Sequence, residues 1–370
     1  MVGLLGIEDE LGPKRVIHVY EPGLSLNGIL VVDNVAAGPS IGGLRMATDV
    51  TLSECFRLAR AMTLKNAAAG LPHGGGKSVL RADPTSPRAE KEALIRAFAG
   101  ALRDVEDYIF GPDMGTDEQC MAWVKDEIGR SVGLPREVGG IPLDELGATG
   151  LGVARAVEAA LPYVDFELAG ARVAIQGFGA VGMHAARFLS EKGALLVAAS
   201  DSSGATRDDA GLDVTALIEA KRNGQPVRDF ADGRAMERDA IIAVPCDIWV
   251  PAARPDVIDL SNVDQLDTKL IVQGANIPIT LEAEAHLHRK GILSLPDFIA
   301  NAGGVICAAA EYAGATQQAA FDAIEEKIIQ NTEAMMDRVR ADQTLPRQAA
   351  TEMAEIRIRR AMDTRRWSIF

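Results

Sequence analysis

The sequence predicts an α/β protein of two domains, one of them a Rossmann-type, doubly wound dinucleotide-binding fold. Three observations carry that prediction. Residues 173–201, VAIQGFGAVGMHAARFLSEKGALLVAASD, read as strand, glycine turn, helix, strand and acid. The chain has 370 residues, enough for two domains with separate cores. Its composition is 48% hydrophobic but only 5% aromatic, as in α/β proteins rich in Ala, Val, Leu and Gly.

Within that stretch, 173–175 is a short β-branched apolar run of the kind buried on both faces of a parallel sheet. It breaks into Gly177-Phe178-Gly179-Ala180-Val181-Gly182, and an amphipathic segment, 183–192, follows. Gly177 allows the tight turn, Gly179 lets the backbone approach a pyrophosphate, and Gly182 lets helix and strand pack closely. Ala180 and Val181 belong to the same cofactor-binding turn, whose helix N-terminus offers free N–H donors to phosphate. A second apolar run, 195–199, leads to Asp201, nineteen residues past Gly182, where an acid accepts hydrogen bonds from the adenine ribose diol. A glycine turn alone can serve packing; with both strands, the helix and the acid in place, the dinucleotide reading prevails.

The net charge of −14 repels phosphate backbones and argues against a nucleic-acid partner. Cys55, Cys120, Cys246 and Cys307 are far apart, with no CxxC or Cys/His metal spacing. They read as reduced, buried thiols of a cytoplasmic protein without a metal site. Acids follow a very short apolar run at the start, which is wrong for a signal peptide, and no apolar run reaches membrane-spanning length.

Taken in order, 15–20 and 26–33 are β-rich runs separated by Pro22-Gly23. GPSIGGLRM, 38–46, is too glycine-rich for a regular element. Thr51-Leu52-Ser53-Glu54 is a capping box opening a helix that runs to about Ala69, with Leu52, Cys55, Phe56, Ala59 and Met62 on one face. Gly70-Leu71-Pro72 stops it, and HGGGKS, 73–78, follows. That segment is not a P-loop: Leu71 stands where the first glycine should, and a helix rather than a strand precedes it. A second helix is expected over 87–105, a strand over 107–110, a helix over 117–128 and a loop-like hinge over 129–147. A small-residue helix, 148–161, leads into the fingerprint. Beyond it a helix is expected over 214–221, parallel strands at 241–244, 248–250 and 270–272, a helix over 281–290, a strand at 292–295, and helix from 305 to 365. The expected domains are 1–145, joined by C-terminal helices from about 335, and 146–334.

Several stretches are more specific than these patterns: GPSIGGLRM, MTLKNAAAGLPHGGGKSV, GPDMGT, GRSVGLPREVGGIPLDELGATG, VAIQGFGAVG, CDIWVPAA, VQGAN and PDFIANAGGV. In this content and order the chain resembles the glutamate/leucine/phenylalanine/valine dehydrogenase family over nearly its whole length. The resemblance implies oxidative deamination of an L-α-amino acid to a 2-oxo acid and ammonia, with hydride passing to a nicotinamide. It also implies a substrate domain and a Rossmann domain with the active site in the cleft between, C-terminal helices returning to the substrate domain, and a homo-oligomer. By motif match Lys65 clamps the α-carboxylate with the Gly42-Gly43 backbone, and Met62 shares its substrate-binding stretch. Lys77 is the catalytic lysine, its proton affinity lowered by desolvation and by Lys65, and Asp113 is its acidic relay. Thr149 and Asn276 match positions approaching the nicotinamide amide and the substrate amino group; their plainer readings are a helix N-cap and a strand-end turn. Ala252 and Ser202 fall at cofactor-binding positions, and Asn301 reads as structural at a turn, with a secondary cofactor role as the alternative.

Two positions depart from the glutamate-specific pattern. Ile41 stands where glutamate enzymes place a lysine before the glycine pair, and Ala308 where they place a serine. Both polar anchors are replaced by apolar groups, which favours an apolar substrate of the leucine, valine or phenylalanine type. The alternatives are glutamate, or an unusual polar amino acid held by Arg45 or His73, and more remotely a catalytically silent NAD-binding regulator. Asp201 favours NAD; Ser202, Ser203 and Arg207 leave NADP admissible.

Overall fold

The computed structural model describes residues 6–365. They form two compact units, the first comprising 6–142, 305–323 and 351–365, the second 143–304 and 324–350.

The first unit is built on β1 (Arg15–Glu21), β2 (Leu26–Asn34), β3 (Ser40–Ala47), α1 (Leu52–Ala68), β4 (Gly74–Arg81), α2 (Arg88–Ala101), β5 (Tyr108–Pro112) and α3 (Glu118–Ile128). The sheet order is β1-β2-β4-β3-β5. β2 pairs antiparallel with β1 and β4, and β3 pairs parallel with β4 and β5. One face packs Leu30, Val32, Leu44 and Leu80 against Ile95 and Phe98 of α2 and Val124 of α3. The other packs Val31 and Val79 against Cys55 and Ala59 of α1. Thr51 caps α1, its hydroxyl accepting from the Glu54 N–H at 3.2 Å. The Glu54 carboxylate pairs with Arg45 at 2.7 Å.

The glycine-rich stretch 38–46, expected to be irregular, contains strand β3, and 73–78 runs into strand β4. The reason is close packing rather than flexibility. A Cβ at Gly74 would lie 1.8 Å from the Asn34 carbonyl, one at Gly75 2.0 Å from the Thr63 backbone nitrogen, and one at Gly42 1.8 Å from the Gly76 carbonyl.

The second unit contains α4 (Leu143–Leu146), α5 (Ala148–Ala160), β6 (Arg172–Gln176), α6 (Ala180–Ser190), β7 (Leu195–Asp201), β8 (Gly204–Arg207), α7 (Val214–Arg222), β9 (Arg234–Met236), β10 (Ile248–Pro251), β11 (Leu270–Val272), α8 (Leu281–Arg289), β12 (Leu293–Leu295) and α9 (Asp297–Ala300). Its sheet runs β12-β11-β10-β6-β7-β8-β9, parallel through β7 and antiparallel thereafter. The chain leaves β6 for β7 on one side and later places β10 on the other. That reversal is the switch point at which doubly wound sheets bind ligands.

Of the run 241–244, expected as a strand, the first three residues lie instead in a 3-10 turn, Arg238–Ala243, and Val244 follows it. Its isoleucines are apolar because they are buried in the core with Trp249 and Ile258, not because they join a ladder. The expected continuous C-terminal helix is three: α10 (Gly303–Tyr312), α11 (Gln317–Asp342) and α12 (Pro346–Thr364). Gly314, with φ +76°, separates the first two, and Gln343, with φ +53°, precedes Pro346 at the second break.

Candidate active site

In the first unit three neighbouring strands converge on one amine. Lys77 sits on the central strand β4, two residues before Val79, and so shares the face that α1 covers. It is 4% exposed, and its Nζ donates to the carboxylate of Asp113, just past the end of β5. Gly43 on the intervening β3 makes the approach possible, since a Cβ there would lie 2.8 Å from the Asp113 Cβ. Arg45, also on β3, donates to Asp113 Oδ1 at 3.3 and 3.2 Å and pairs with Glu54. Burial, the Arg45 guanidinium and the Lys65 ammonium push Lys77 down from 10.5 to about 7. Cys55 and the Glu54 carboxylate oppose them. Lys65 and Met62, three residues apart on α1, are half-buried. The result is an amine half-neutral near pH 7, beside two cations and a carboxylate.

Ile41 on β3 is 3% exposed, and Ala308 on α10 is 6% exposed. His73, just before β4, is buried, donates from Nδ1 to the Pro39 carbonyl at 3.0 Å, and meets Tyr312 edge-on, ring centroids 5.9 Å apart. Burial lowers its proton affinity, so it stays neutral at pH 7. Sequence reasoning missed Glu311, whose carboxylate accepts from Ile141 N at 2.8 Å and Leu134 N at 3.3 Å and so pins the loop before Pro142. An acid late in an otherwise apolar helix was the available signal.

In the second unit Gly177 has φ +99°, and a Cβ there would lie 2.6 Å from the Ala253 nitrogen. A Cβ at Gly182 would lie 2.0 Å from the Gly177 carbonyl, whereas one at Gly179 meets no protein atom within 4 Å. Glycine at 177 and 182 is thus demanded by the protein itself, while Gly179 leaves clearance on the outside of the turn, as a pyrophosphate requires. Ala180 and Val181 open α6, and Ala252 follows β10, its N–H donating to the Gln176 carbonyl at 2.7 Å. Beside the end of β6 lies a cavity of about 260 Å³ lined by Gln176, Arg254 and Val257 among others, with the Gln176 Oε1 buried and unpartnered. These residues fit a dinucleotide.

Asp201 ends β7 with a carboxylate that is already engaged. It accepts from Ser203 N at 2.8 Å, Val227 N at 3.3 Å, the Ser203 hydroxyl and the Lys221 ammonium. Burial would raise its proton affinity, but Lys221 and Ser203 hold it down to about 2. Ser202 is exposed, and Arg207 is paired with Asp209 at 2.8 Å. Lys221 was not foreseen, because twenty residues separate it from Asp201. Thr149 lies inside α5; the N-cap is Gly147, so the plainer reading of Thr149 fails. Asn276 is exposed on the turn after β11, and its Oδ1 accepts from Asn301 Nδ2 at 3.0 Å. No group of metal-ligating side chains occurs among the described residues, and no described helix is long and apolar enough to cross a membrane.

A dinucleotide turn on a doubly wound sheet and a buried lysine held against a carboxylate on a second α/β unit are the parts of a nicotinamide-dependent dehydrogenase. Residues 139–366 match the Glutamate/Leucine/Phenylalanine/Valine dehydrogenase model, and 13–130 match the dimerisation domain of Glu/Leu/Phe/Val dehydrogenases. The chain belongs to this family and is an amino acid dehydrogenase, an oxidoreductase acting on CH–NH2. It is 38% identical to the glutamate dehydrogenase of Aeropyrum pernix, covering 99% of this chain and 96% of that one. It is 37% identical to the NADP-specific glutamate dehydrogenase of Saccharolobus shibatae over 81% of this chain and 76% of the relative. Among solved structures it resembles the hetero-hexameric glutamate dehydrogenase of Thermus thermophilus in its Leu-bound form, with TM-score 0.86, 28% identity and 96% and 91% of the chains covered. It also resembles the L-tryptophan dehydrogenase of Nostoc punctiforme, with TM-score 0.73, 25% identity and 95% and 97% covered.

Proposed function

We propose that the chain oxidatively deaminates an apolar L-α-amino acid, of the leucine, valine or phenylalanine type, with NAD as the preferred hydride acceptor. The observation that carries the apolar reading is the pair of buried apolar residues, Ile41 and Ala308, at the two positions expected to hold polar anchors. The other candidate anchors do not replace them. Arg45 is committed to Asp113 and Glu54, and His73 is neutral. A glutamate side chain entering such surroundings loses water without gaining a cation, costing several kcal/mol. A leucine side chain gains roughly 1.5–3 kcal/mol from burial.

In the proposed roles, Lys65 and the Gly42-Gly43 backbone hold the α-carboxylate. The neutral Lys77 amine takes a proton from the substrate ammonium, freeing the nitrogen lone pair that drives hydride loss from Cα. A bound nicotinamide supplies the hydride acceptor. Lys77, returned to the amine through Asp113, then accepts a proton from the water that adds to the iminium carbon and passes it to the amino nitrogen; as the new hydroxyl gives its proton back to Lys77, the C–N bond breaks and ammonia leaves the 2-oxo acid. The turn at Gly177–Gly182, with Ala180 and Val181, seats the pyrophosphate; Ala252 and Ser202 contact the cofactor, and Thr149 and Asn276 approach the nicotinamide amide and the substrate amino group. NAD rests on Asp201, but pairing with Lys221 blunts its repulsion of a 2′-phosphate, so NADP is expected to work less well rather than not at all. A homo-oligomer is proposed from the match of 13–130 to a dimerisation domain.

Glutamate is the second reading, favoured by the names of the relatives at 37–38% identity. Initial rates on all twenty amino acids with NAD and with NADP separate the two. The apolar reading expects leucine, valine or phenylalanine to lead. A kcat/KM for glutamate above that of every apolar amino acid would overturn it.

A further inference from the structure

The second unit contains a buried ionic cluster that the roles above leave unused. Arg347, at the start of α12, donates to both carboxylate oxygens of Glu284 at 2.6 and 2.8 Å and to Gln273 Oε1 at 2.9 Å. Its third arm lies 2.9 Å from Asp297 Oδ1. Gln273 in turn donates to Glu284 at 2.6 Å and to the Ser294 hydroxyl at 3.1 Å. Gln273, Glu284 and Asp297 are all buried. Taking this many charges out of water is costly unless every member is paired.

The cluster ends at a strained turn. Asp297 Oδ2 accepts the backbone N–H of Ile277 at 2.9 Å, and Ile277 has φ +43°. A β-branched residue in that left-handed region is a rare conformer, held only where its surroundings over-determine it. Its neighbour is Asn276, which Asn301 grips at the other end of the short helix α9. Asp297 and Asn301 thus hold the 276–277 turn from the two ends of α9, and Arg347 holds Asp297.

We infer that Arg347 is a positioning residue, which through Asp297 locks Ile277 in its left-handed conformation and so presents Asn276 to the reacting groups. The inference rests on the role proposed above for Asn276. In Arg347→Met, kcat for the best amino acid should fall at least tenfold while the affinity for NADH, read by its fluorescence, changes less than threefold. Amide exchange in the peptide containing Ile277 should accelerate.

The decisive variant adds Ile277→Gly, since glycine takes a positive φ without steric cost. If Arg347 works by holding that dihedral, Arg347→Met/Ile277→Gly should recover at least a third of the wild-type kcat. Both variants are assayed well below their melting temperatures, where a change in bulk stability alone leaves kcat unmoved. If Arg347→Met does not fold, the same comparison is made in Arg347→Lys, which keeps the charge and loses the fork. Wild-type kcat and exchange in a folded Arg347 variant, or no rescue by glycine, overturns the inference. Exchange at Ile277 is read without substrate, so an enzyme inactive on every amino acid would refute the proposed reaction and leave this test intact.

Discussion

Replacing Lys77 by methionine keeps nearly the length and the apolar stem of the side chain and removes the amine. The fall from 10.5 to about 7 corresponds to about 5 kcal/mol of preference for the neutral amine in the folded chain. Between those pH values the unfolded chain holds a proton that the folded chain has released. Stability therefore rises with pH across that window, and the full penalty is present below about 7. Methionine removes the penalty together with the attraction to Asp113. Asp113 is not left alone, because two Arg45 nitrogens still donate to it at 3.3 and 3.2 Å. Removing one partner of a buried ion pair ordinarily costs about 3–5 kcal/mol because the other charge is left unpaired; here Arg45 keeps Asp113 paired, so loss of the penalty on the buried ammonium dominates. Lys77→Met should thus unfold several degrees higher than wild type at pH 7, with the stability gap closing toward pH 10. Its kcat should fall by about a hundredfold or more, the worth of a general base. In the wild type, kcat/KM for deamination should climb about tenfold per pH unit below 7 and level off above it. Initial rates of NADH formation from pH 5.5 to 10 and parallel thermal melts check both. A variant kcat within tenfold of wild type would remove Lys77 from the base role, and a large drop in Tm would make it a structural ion-pair partner instead.

Ile41→Lys should raise kcat/KM for glutamate relative to leucine by about a hundredfold, roughly 2.7 kcal/mol, in steady-state competition between the two; an unchanged ratio would place the side-chain pocket elsewhere. Asp201→Ala frees Lys221 from its carboxylate partner and should shift the NADP/NAD ratio of kcat/KM upward by about tenfold or more; no shift would show that the preference is set outside β7. Gly75→Ala puts a methyl 2.0 Å from the Thr63 backbone nitrogen and should cost about 3 kcal/mol or more, seen as loss of soluble protein or a collapsed Tm. A wild-type melt for that variant would contradict the packing described for β4.

The regular period of the fingerprint region made it legible: β6, α6, β7 and the acid at Asp201 lie where the sequence puts them, within a few residues. So do β1, β2 and the Thr51 cap. Where the reading failed, residue type was informative about something other than local structure. Glycine in GPSIGG and HGGGK reports backbone pressed against backbone from neighbouring elements, which a one-dimensional pattern cannot distinguish from a loop. Ile241 and Ile242 report burial without a ladder. In the site, Lys65, Lys77 and Asp113 were named from motifs, but motifs carry no partners. That Arg45 and Glu54 complete the cluster, that Lys221 neutralises Asp201, and that Glu311 pins a loop all depend on contacts between segments far apart in sequence.

The chain changes units four times, at 142/143, 304/305, 323/324 and 350/351. The last segment of the first unit is tied back to its beginning: Arg359 reaches Glu10 at 2.8 Å, and Met362 Sδ accepts from Asn34 at 3.6 Å. On the ribosome, at about 5–20 residues per second, more than two hundred residues must be added between the emergence of Pro142 and that of residue 351. For roughly 10–40 s the nascent β1–β5 sheet therefore waits without α12, with Asn34 and Glu10 facing water or a chaperone. The gene cannot be cut into two contiguous pieces that each encode one unit. Fragment expression, split reporters and domain grafting would have to carry the C-terminal helices in trans.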